Sequence, residues 1–315
     1  MRIGILDLGT NTFNLLIVEA TVGESNFVKL HGNKIGVKLG ENGINDKIIT
    51  NKAFARGLFA VSTHIATIQN YHCDRIIAFA TSAIRNATNG QEFVAKVKEL
   101  YNISIRVIDG DKEAEYIYHG VKLANALKKD ETSLIMDIGG GSTEFIICND
   151  QEIFWKKSFE LGVSRLHDKF NLSNPITEIE TENLTNYLKE NIQDLTDAVA
   201  KFKIETLVGS SGSFDTLAEV ICKKHNPQIK SDDISNYDFD IEELRTVHQI
   251  LLKSTVEERL NMAGIIAMRV DFIVISSIFI QLVLKQYNIH KLHQSSYSLK
   301  EGILFAIMNK TLNLN

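Results

Sequence analysis

The residues best suited to chemistry are carboxylates that flank a glycine turn. Asp137-Ile138-Gly139-Gly140-Gly141-Ser142-Thr143-Glu144 lies between two apolar runs, residues 134–136 and 145–147. An apolar run, a turn of small residues and a second apolar run predict a buried hairpin. Three consecutive glycines permit a sharp turn with exposed N–H groups, and successive N–H groups form a concave nest for an anion. Ser142 adds a hydroxyl donor, and Asp137 and Glu144 set carboxylates at the two rims. Such a nest suits a phosphate that arrives with a metal ion. The pattern occurs twice. Residues 5–17 overlay it at a constant offset of 130, with Asp7 on Asp137, Gly9 on Gly139, Thr12 on Ser142 and Asn14 on Glu144. Two matching copies between apolar strands argue for two related half-domains facing one ligand.

Other polar residues carry weaker signals. Gly209-Ser210-Ser211-Gly212-Ser213 follows the apolar run 206–208 and precedes a helical stretch from Phe214. Its backbone N–H groups, at Gly209, Ser211 and Gly212, could hold an anion, and an ordinary tight turn is the equal alternative. Arg85 stands just past a strand end, where it either enters the cleft or is a solvated surface arginine. Asp111, Glu113 and Glu115 open a helix, and acids there ordinarily complement the helix dipole. His167-Asp168 resembles the pair of metal phosphohydrolases, but that pair also needs a distant His and Asp and two residues alone carry little, and His290 with His293 lacks further zinc ligands.

These groups must be carried by alternating strands and helices. Strands are expected at 3–20 (a hairpin), 26–38, 75–80, 103–108 and 206–208, and a strand-to-turn segment at 158–166. Helices are expected at 54–68, 91–100 and from about 109. A single long helix is expected over 184–202, with others at 241–260, 271–287 and 299–309. This alternation predicts an α/β fold. A length of 315 residues fits about two domains. The net charge of −5 gives no general attraction to nucleic acid or an anionic membrane, so a polyanion must be gripped by local basic residues. The longest apolar run, 272–284, is too short to span a bilayer. The start, Met1-Arg2-Ile3-Gly4, enters a strand directly and is not expected to be a signal peptide. Three cysteines without motif spacing suggest buried thiols in a reducing cytoplasm.

Several segments together resemble the exopolyphosphatase/guanosine pentaphosphatase (Ppx/GppA) family. They are residues 7–13, 80–87 (Ala-Thr-Ser-Ala-Ile-Arg-Asn-Ala), 108–115 (Ile-Asp-Gly-Asp-Lys-Glu-Ala-Glu), 137–144, 161–166 (Leu-Gly-Val-Ser-Arg-Leu), 209–213 and 299–302. The resemblance covers nearly the whole chain. It implies a duplicated actin-like (ribonuclease H-like, ASKHA) two-domain fold with an interdomain active-site cleft. The domains are expected at 1–123 and 124–299, with a last helix at about 300–315 packing back on the first. The implied reaction is hydrolysis of a terminal phosphoanhydride, in inorganic polyphosphate or alternatively guanosine pentaphosphate, with Mg²⁺ (Mn²⁺ as the alternative). Glu113 would be the general base. Glu144 would orient the water or the metal, and Arg85 would neutralise charge on the transferred phosphoryl. Asp137 and Asp7 would hold the metal. Thr10, Asn11, Thr12, Gly139, Gly140, Gly141 and Ser142 would cradle phosphates. A homodimer is compatible with the resemblance.

The chain departs from the family pattern at Lys112-Glu113, where two acids are common, at Glu115, where arginine is common, and at Asn14, often basic or histidine. It resembles the short members without added C-terminal helical domains, which implies reduced processivity. Two other functions stand beside the hydrolase: a kinase of the same superfamily, and a non-catalytic nucleotide sensor.

Overall fold

The structure, a computed structural model, describes residues 1–312 except 22, 24, 25, 231–233 and 235. Residues 313–315, the end of the expected last helix, lie outside the described residues. The first half contains β1 (Arg2–Leu8), β2 (Thr12–Ala20), β3 (Phe27–Gly36), α1 (Asn51–Asn70), β4 (Arg75–Ala80), α2 (Ser82–Asn86), α3 (Gly90–Tyr101), β5 (Ile105–Val107) and α4 (Gly110–Leu123). The second contains β6 (Ser133–Ile138), β7 (Thr143–Cys148), β8 (Ile153–Phe159), α5 (Val163–Phe170), α6 (Glu178–Asn191), α7 (Gln193–Val199), β9 (Thr206–Ser210), α8 (Gly212–His225), β10 (Asp238–Phe239), α9 (Ile241–Lys253), α10 (Val256–Leu260), α11 (Ile273–Gln286) and β11 (Leu292–Gln294). Helix α12 (Leu299–Met308) closes the described chain.

The duplication read from the hairpins extends to the sheets. The first runs β3-β2-β1-β4-β5, and the second β8-β7-β6-β9-β11 with β10 added at its edge. In both, the hairpin strands pair antiparallel, and the next two strands are added parallel to the first. The parallel strands need crossover connections, which the helices supply.

Strand alternation then sorts the core into three layers. On β1, Leu6 and Leu8 face an outer core with α1 and α3, while Ile3 and Ile5 face a central core. On β6, Leu134, Met136 and Ile138 face the opposite outer core, and Ile135 faces the central one. The central core holds α4 and α12, which run against each other between the sheets. The last helix therefore packs on α4 and shares a core with both sheets. By the same period of two, Asp7 follows Ile3 and Ile5, and Asp137 follows Ile135, onto the central face. Asn14 precedes Leu16 there, and Glu144 precedes Ile146. All four thus project between the sheets from strand ends, where α4 brings its first turn.

Two expected helices and one strand-to-turn segment have other bounds. The helix expected over 184–202 is two, α6 and α7, broken at Ile192, whose φ of −110° and ψ of 24° leave helical geometry. Ile192 stays buried in the core that holds Leu188 and Leu195, so apolar spacing runs unbroken across the kink. The expected 241–260 helix stops at Lys253, and Thr255 starts α10 with a reciprocal capping box to Glu258. The strand-to-turn segment at 158–166 is the end of β8 and the start of α5.

Candidate active site

The two hairpin turns are built alike. Asp7 pairs in register with Asn14, and Asp137 with Glu144. The Gly9 N–H closes its turn on the Thr12 carbonyl at 3.1 Å, and the Gly139 N–H closes the other on the Ser142 carbonyl at 3.0 Å. The tip carbonyls of both turns are engaged from behind. The Thr10 carbonyl accepts from the Leu39 N–H, and the Asn11 carbonyl from Val37 and Lys38. Those of Gly139 and Gly140 accept from Val163 and Ser164, and that of Gly141 from Arg165 Nε at 3.1 Å. A planar trans peptide points the next N–H opposite to its carbonyl. The N–H groups of Asn11, Thr12, Gly140, Gly141 and Ser142 are thereby aimed away from these supports, toward the cleft their residues line. The turns also touch: a Cβ on Gly140 would lie 2.8 Å from Asn11 Cγ. Ser164 Oγ donates to Asn11 Oδ1, and Arg165 Nη1 donates to the Ile44 carbonyl at 3.2 Å, so the start of α5 ties both halves together.

Glu113 enters this cleft from α4. The helix starts there because the Asp109 carboxylate caps it, accepting the Lys112 N–H at 2.7 Å. Asp111 is exposed and Glu115 pairs with Lys112 and Lys156, as surface acids do. Glu113 differs: it is 6% exposed. Arg85 Nη1 donates to Glu113 Oε2 at 2.8 Å and to the Ile108 carbonyl at 3.0 Å. Burial pushes the Glu113 carboxyl up to about 7, with Arg85 opposing and Asp7 and Asp137 adding to the rise. Burial lowers Arg85 most, but Glu113 together with Glu144 and Glu160 raises it overall, and the Glu144 carboxyl is raised well above the usual range by burial, then by Glu113 and Asp137. Ser158 Oγ donates to Glu144 Oε1 at 2.6 Å. Burial raises Asp7 to about 6 against the Asn14 amide, which donates at 2.8 Å. It also raises Asp137, against hydroxyls of Ser210 and Ser298 that both donate to Oδ2.

Four buried carboxyls that resist ionisation form an environment that a hard cation would relieve. The available donors are oxygens, and Asp137 and Asp7 stand one at the end of each inner strand. Among the described residues no three His, Cys, Asp or Glu side chains converge as a complete metal cage. Mg²⁺ keeps several waters and takes one or two carboxylates together with phosphate oxygens, a donor set that Asp137 and Asp7 could supply.

The cleft lining contains Asp7, Thr10, Asn11, Thr12, Glu113, Asp137 and the turn 139–142, with Ser211 and Gly212 of the third loop. Arg85 and Glu144 stand behind Glu113 and Asp137. Gly209 stands apart: it is paired within β9, its carbonyl accepts from Ser295, and the Phe214 ring lies 2.1 Å from where its Cβ would be. Its place in the structure is one of packing. Sequence reading missed Lys34, Ser82, Asp215, Arg269, Ser298 and Lys300, which also line the cleft. Arg269 lies against the third loop, its Nη2 1.9 Å from where a Gly212 Cβ would be. Segments 80–87 and 299–302 held Ser82 and Lys300, with no chemistry assigned to them. Lys34 and Arg269 lie outside every motif. His293 pairs with Asp238 at 2.7 Å; the cysteines are free, but contrary to expectation only Cys148 is buried, Cys73 and Cys222 being partly exposed.

Two sheets of matching order, with paired phosphate-type turns and a buried acid between them, define an enzyme of the actin-like two-domain class. Comparison with known proteins narrows the class. The family model described as the Ppx/GppA phosphatase family matches residues 16–311, and the chain belongs to that family. Among solved structures it is similar to an exopolyphosphatase from Cytophaga hutchinsonii, with 37% identity, all of both chains covered and a TM-score of 0.94. It is 34% identical over 223 residues to the bifunctional 3-dehydroquinate synthase/phosphatase of Fusobacterium nucleatum, covering 68% of this chain and 33% of that one. It is 24% identical over 305 residues to the guanosine-5'-triphosphate,3'-diphosphate pyrophosphatase of Photobacterium profundum, covering 97% of this chain and 59% of that one. The chain thus spans about a third and three-fifths of the length of these two relatives. No helix among the described residues is long and apolar enough to cross a membrane.

Proposed function

We propose that this phosphatase hydrolyses the terminal phosphoanhydride of inorganic polyphosphate and releases orthophosphate. The carrying observation is Glu113: a buried carboxyl, raised to about 7 and aimed by Arg85 into a cleft lined with backbone N–H groups. A base with a pKa near the working pH best combines the ionised form with proton affinity. The N–H groups of the two turns bind the terminal phosphate. Glu113 takes a proton from a water as that oxygen bonds to the terminal phosphorus. The bridging P–O bond breaks on the opposite side, and the shortened chain leaves with its electrons. Arg85 stabilises the charge spread over the equatorial oxygens, and such positioning and electrostatics supply most of the acceleration. Asp137 and Asp7 would hold Mg²⁺, or Mn²⁺ in its place. When bound it supplies charge neutralisation at the phosphate oxygens. Glu144, fixed by Ser158, orients water next to Glu113 or the metal.

Two observations support polyphosphate over guanosine pentaphosphate. The similar structure at 37% identity is named an exopolyphosphatase. The described residues that line the cleft carry glycine, hydroxyl, amide, charged and aliphatic groups, and none of them presents an aromatic ring to a base. The test is Mg²⁺-dependent phosphate release from each substrate, wild type beside Glu113→Gln. Release from polyphosphate that falls about 100- to 10,000-fold in the variant is expected. Preference for guanosine pentaphosphate would replace the substrate. Binding without turnover of either would favour a sensor.

A further inference from the structure

The cleft holds a charge that works against its own ligand. Three cations line it beyond the glycine turns: Lys34 from β3, Arg269 from the segment before α11, and Lys300 from the first turn of α12. With a net charge of −5, these local groups must supply the grip on the rest of a polyanion. Among them stands Asp215, in the first turn of α8, also lining the cleft. Lys34 Nζ lies 3.4 Å from Asp215 Oδ2. Asp215 is the leading anion acting on Arg269, and its charge also reaches Lys300, which is itself paired with Glu301 at 3.0 Å. Asp215 is held in place, because Gln294, itself 2% exposed, donates from Nε2 to Asp215 Oδ1 at 2.9 Å. Asp215 has no bond to Glu113 or Arg85, so its carboxylate is placed to affect grip and not proton transfer.

We propose that Asp215 is a specificity-determining counter-charge that occupies the place of a substrate phosphate among Lys34, Arg269 and Lys300, and so favours short linear phosphates over long ones. This rests on the phosphoanhydride hydrolase reading. On this reading the phosphates held by the glycine turns feel Asp215 less than those further along the chain, although its charge reaches Asp137. Each one further along the chain must share cations with it or draw Lys34 away from it. The Lys34–Asp215 contact bridges the two halves, so a longer substrate also exchanges an internal cross-cleft ion pair for one of its own. The pair is half-exposed, with side-chain exposures of 53% and 39%, so screening keeps the effect moderate.

The test is Asp215→Asn, which removes the charge while its amide oxygen can still accept from Gln294. Phosphate release is measured with tripolyphosphate and with long-chain polyphosphate, and kcat and KM are separated. The expected result is a KM for the long chain lowered about three- to tenfold, with the tripolyphosphate KM little changed and the difference fading as salt is added. Lys34→Gln should raise the long-chain KM, and in that background Asp215→Asn should lower it less. An unchanged or raised long-chain KM in an active Asp215→Asn enzyme overturns the proposal. An equal fall for both substrates overturns the placement of Asp215 beyond the first phosphates. Absence of phosphate release from both substrates by wild type defeats the hydrolase reading itself, which is a distinct result.

Discussion

Replacing Arg85 by Met should move the pH dependence of the enzyme, and the sign follows from the geometry. Glu113 acts as base only when ionised, so kcat/KM should rise with pH through its raised pKa of about 7 and level off above it. The main charge that opposes burial there is the Arg85 guanidinium, 2.8 Å away, with side-chain exposures of 16% and 8% for the two partners. An opposite charge so close typically holds a carboxyl down by about one to three pH units, each about 1.4 kcal/mol. Its loss should carry the rising limb to about pH 8 to 10. Glu160, 3.9 Å from Arg85 Nη2, is anionic and cannot replace the lost charge. Above the new limb, a deficit of about 100- to 1,000-fold should remain, because the variant also lacks a charge for the transferred phosphoryl. Arg85→Lys keeps a charge without the two-point grip on Glu113 and the Ile108 carbonyl, and should shift the limb less. The assay is phosphate release across pH at saturating Mg²⁺, with the melting temperature followed at each pH. A limb that stays in place in Arg85→Met, or moves to lower pH, would refute Glu113 as the titrating base. So would a limb that survives in Glu113→Gln.

Two further outcomes are expected. Glu144 is 1% exposed and its carboxyl is raised well above the usual range by burial, so the native state binds a proton the unfolded chain has already released. Stability should therefore fall as pH rises from the ordinary carboxylate range through the raised value, and Glu144→Gln without metal should melt about a few degrees above wild type at pH 8 and alike at pH 4; equal melting at both would contradict it. Ser298→Ala removes a hydroxyl that donates to Asp137 Oδ2 and should raise the Mg²⁺ concentration for half-maximal activity about 10- to 100-fold, with kcat at saturating Mg²⁺ less affected; an unchanged Mg²⁺ requirement would take the metal away from Asp137.

What could be read from the chain alone was what local spacing encodes. The constant offset superposed the two hairpins, and because a hairpin turn fixes register the structure pairs Asp7 with Asn14 and Asp137 with Glu144 at equivalent places. The grouping of the four on one face follows from strand alternation once the apolar partners are known. What escaped was set by tertiary packing. Strands β10 and β11 have two and three residues, too few to show a period. Arg269 lies in a stretch without helical or strand spacing, and only the fold lays it on Gly212. Lys34 looks like any exposed strand lysine until β3 is seen to edge the cleft. Helices α6 and α7 looked continuous because Ile192 keeps its side chain in the core while its backbone leaves the helix.

The two copies share a frame but divide the work, and the division explains where the supports lie. In the first, the partner of Asp7 is an amide, Asn14, which donates to it and leaves one carboxylate charge. In the second, the partner of Asp137 is another acid, Glu144, so two like charges share one strand end. Hydroxyls accordingly gather on the second copy: Ser210 and Ser298 on Asp137, and Ser158 on Glu144. Two of these come from other strands and one from the start of α12, so the second carboxylate pair depends on the whole half being assembled. The carbonyl supports are likewise unequal. The first turn is backed by residues 37–39 of its own half, whereas the second is backed by α5, whose Ser164 and Arg165 also grip Asn11 and the Ile44 carbonyl across the cleft. Aim of the second set of N–H groups is therefore tied to the relative placement of the halves. A cleft pulled open would loosen the turn proposed to hold the phosphate together with the contact that holds the halves, so on this reading binding and closure are stabilised by the same bonds.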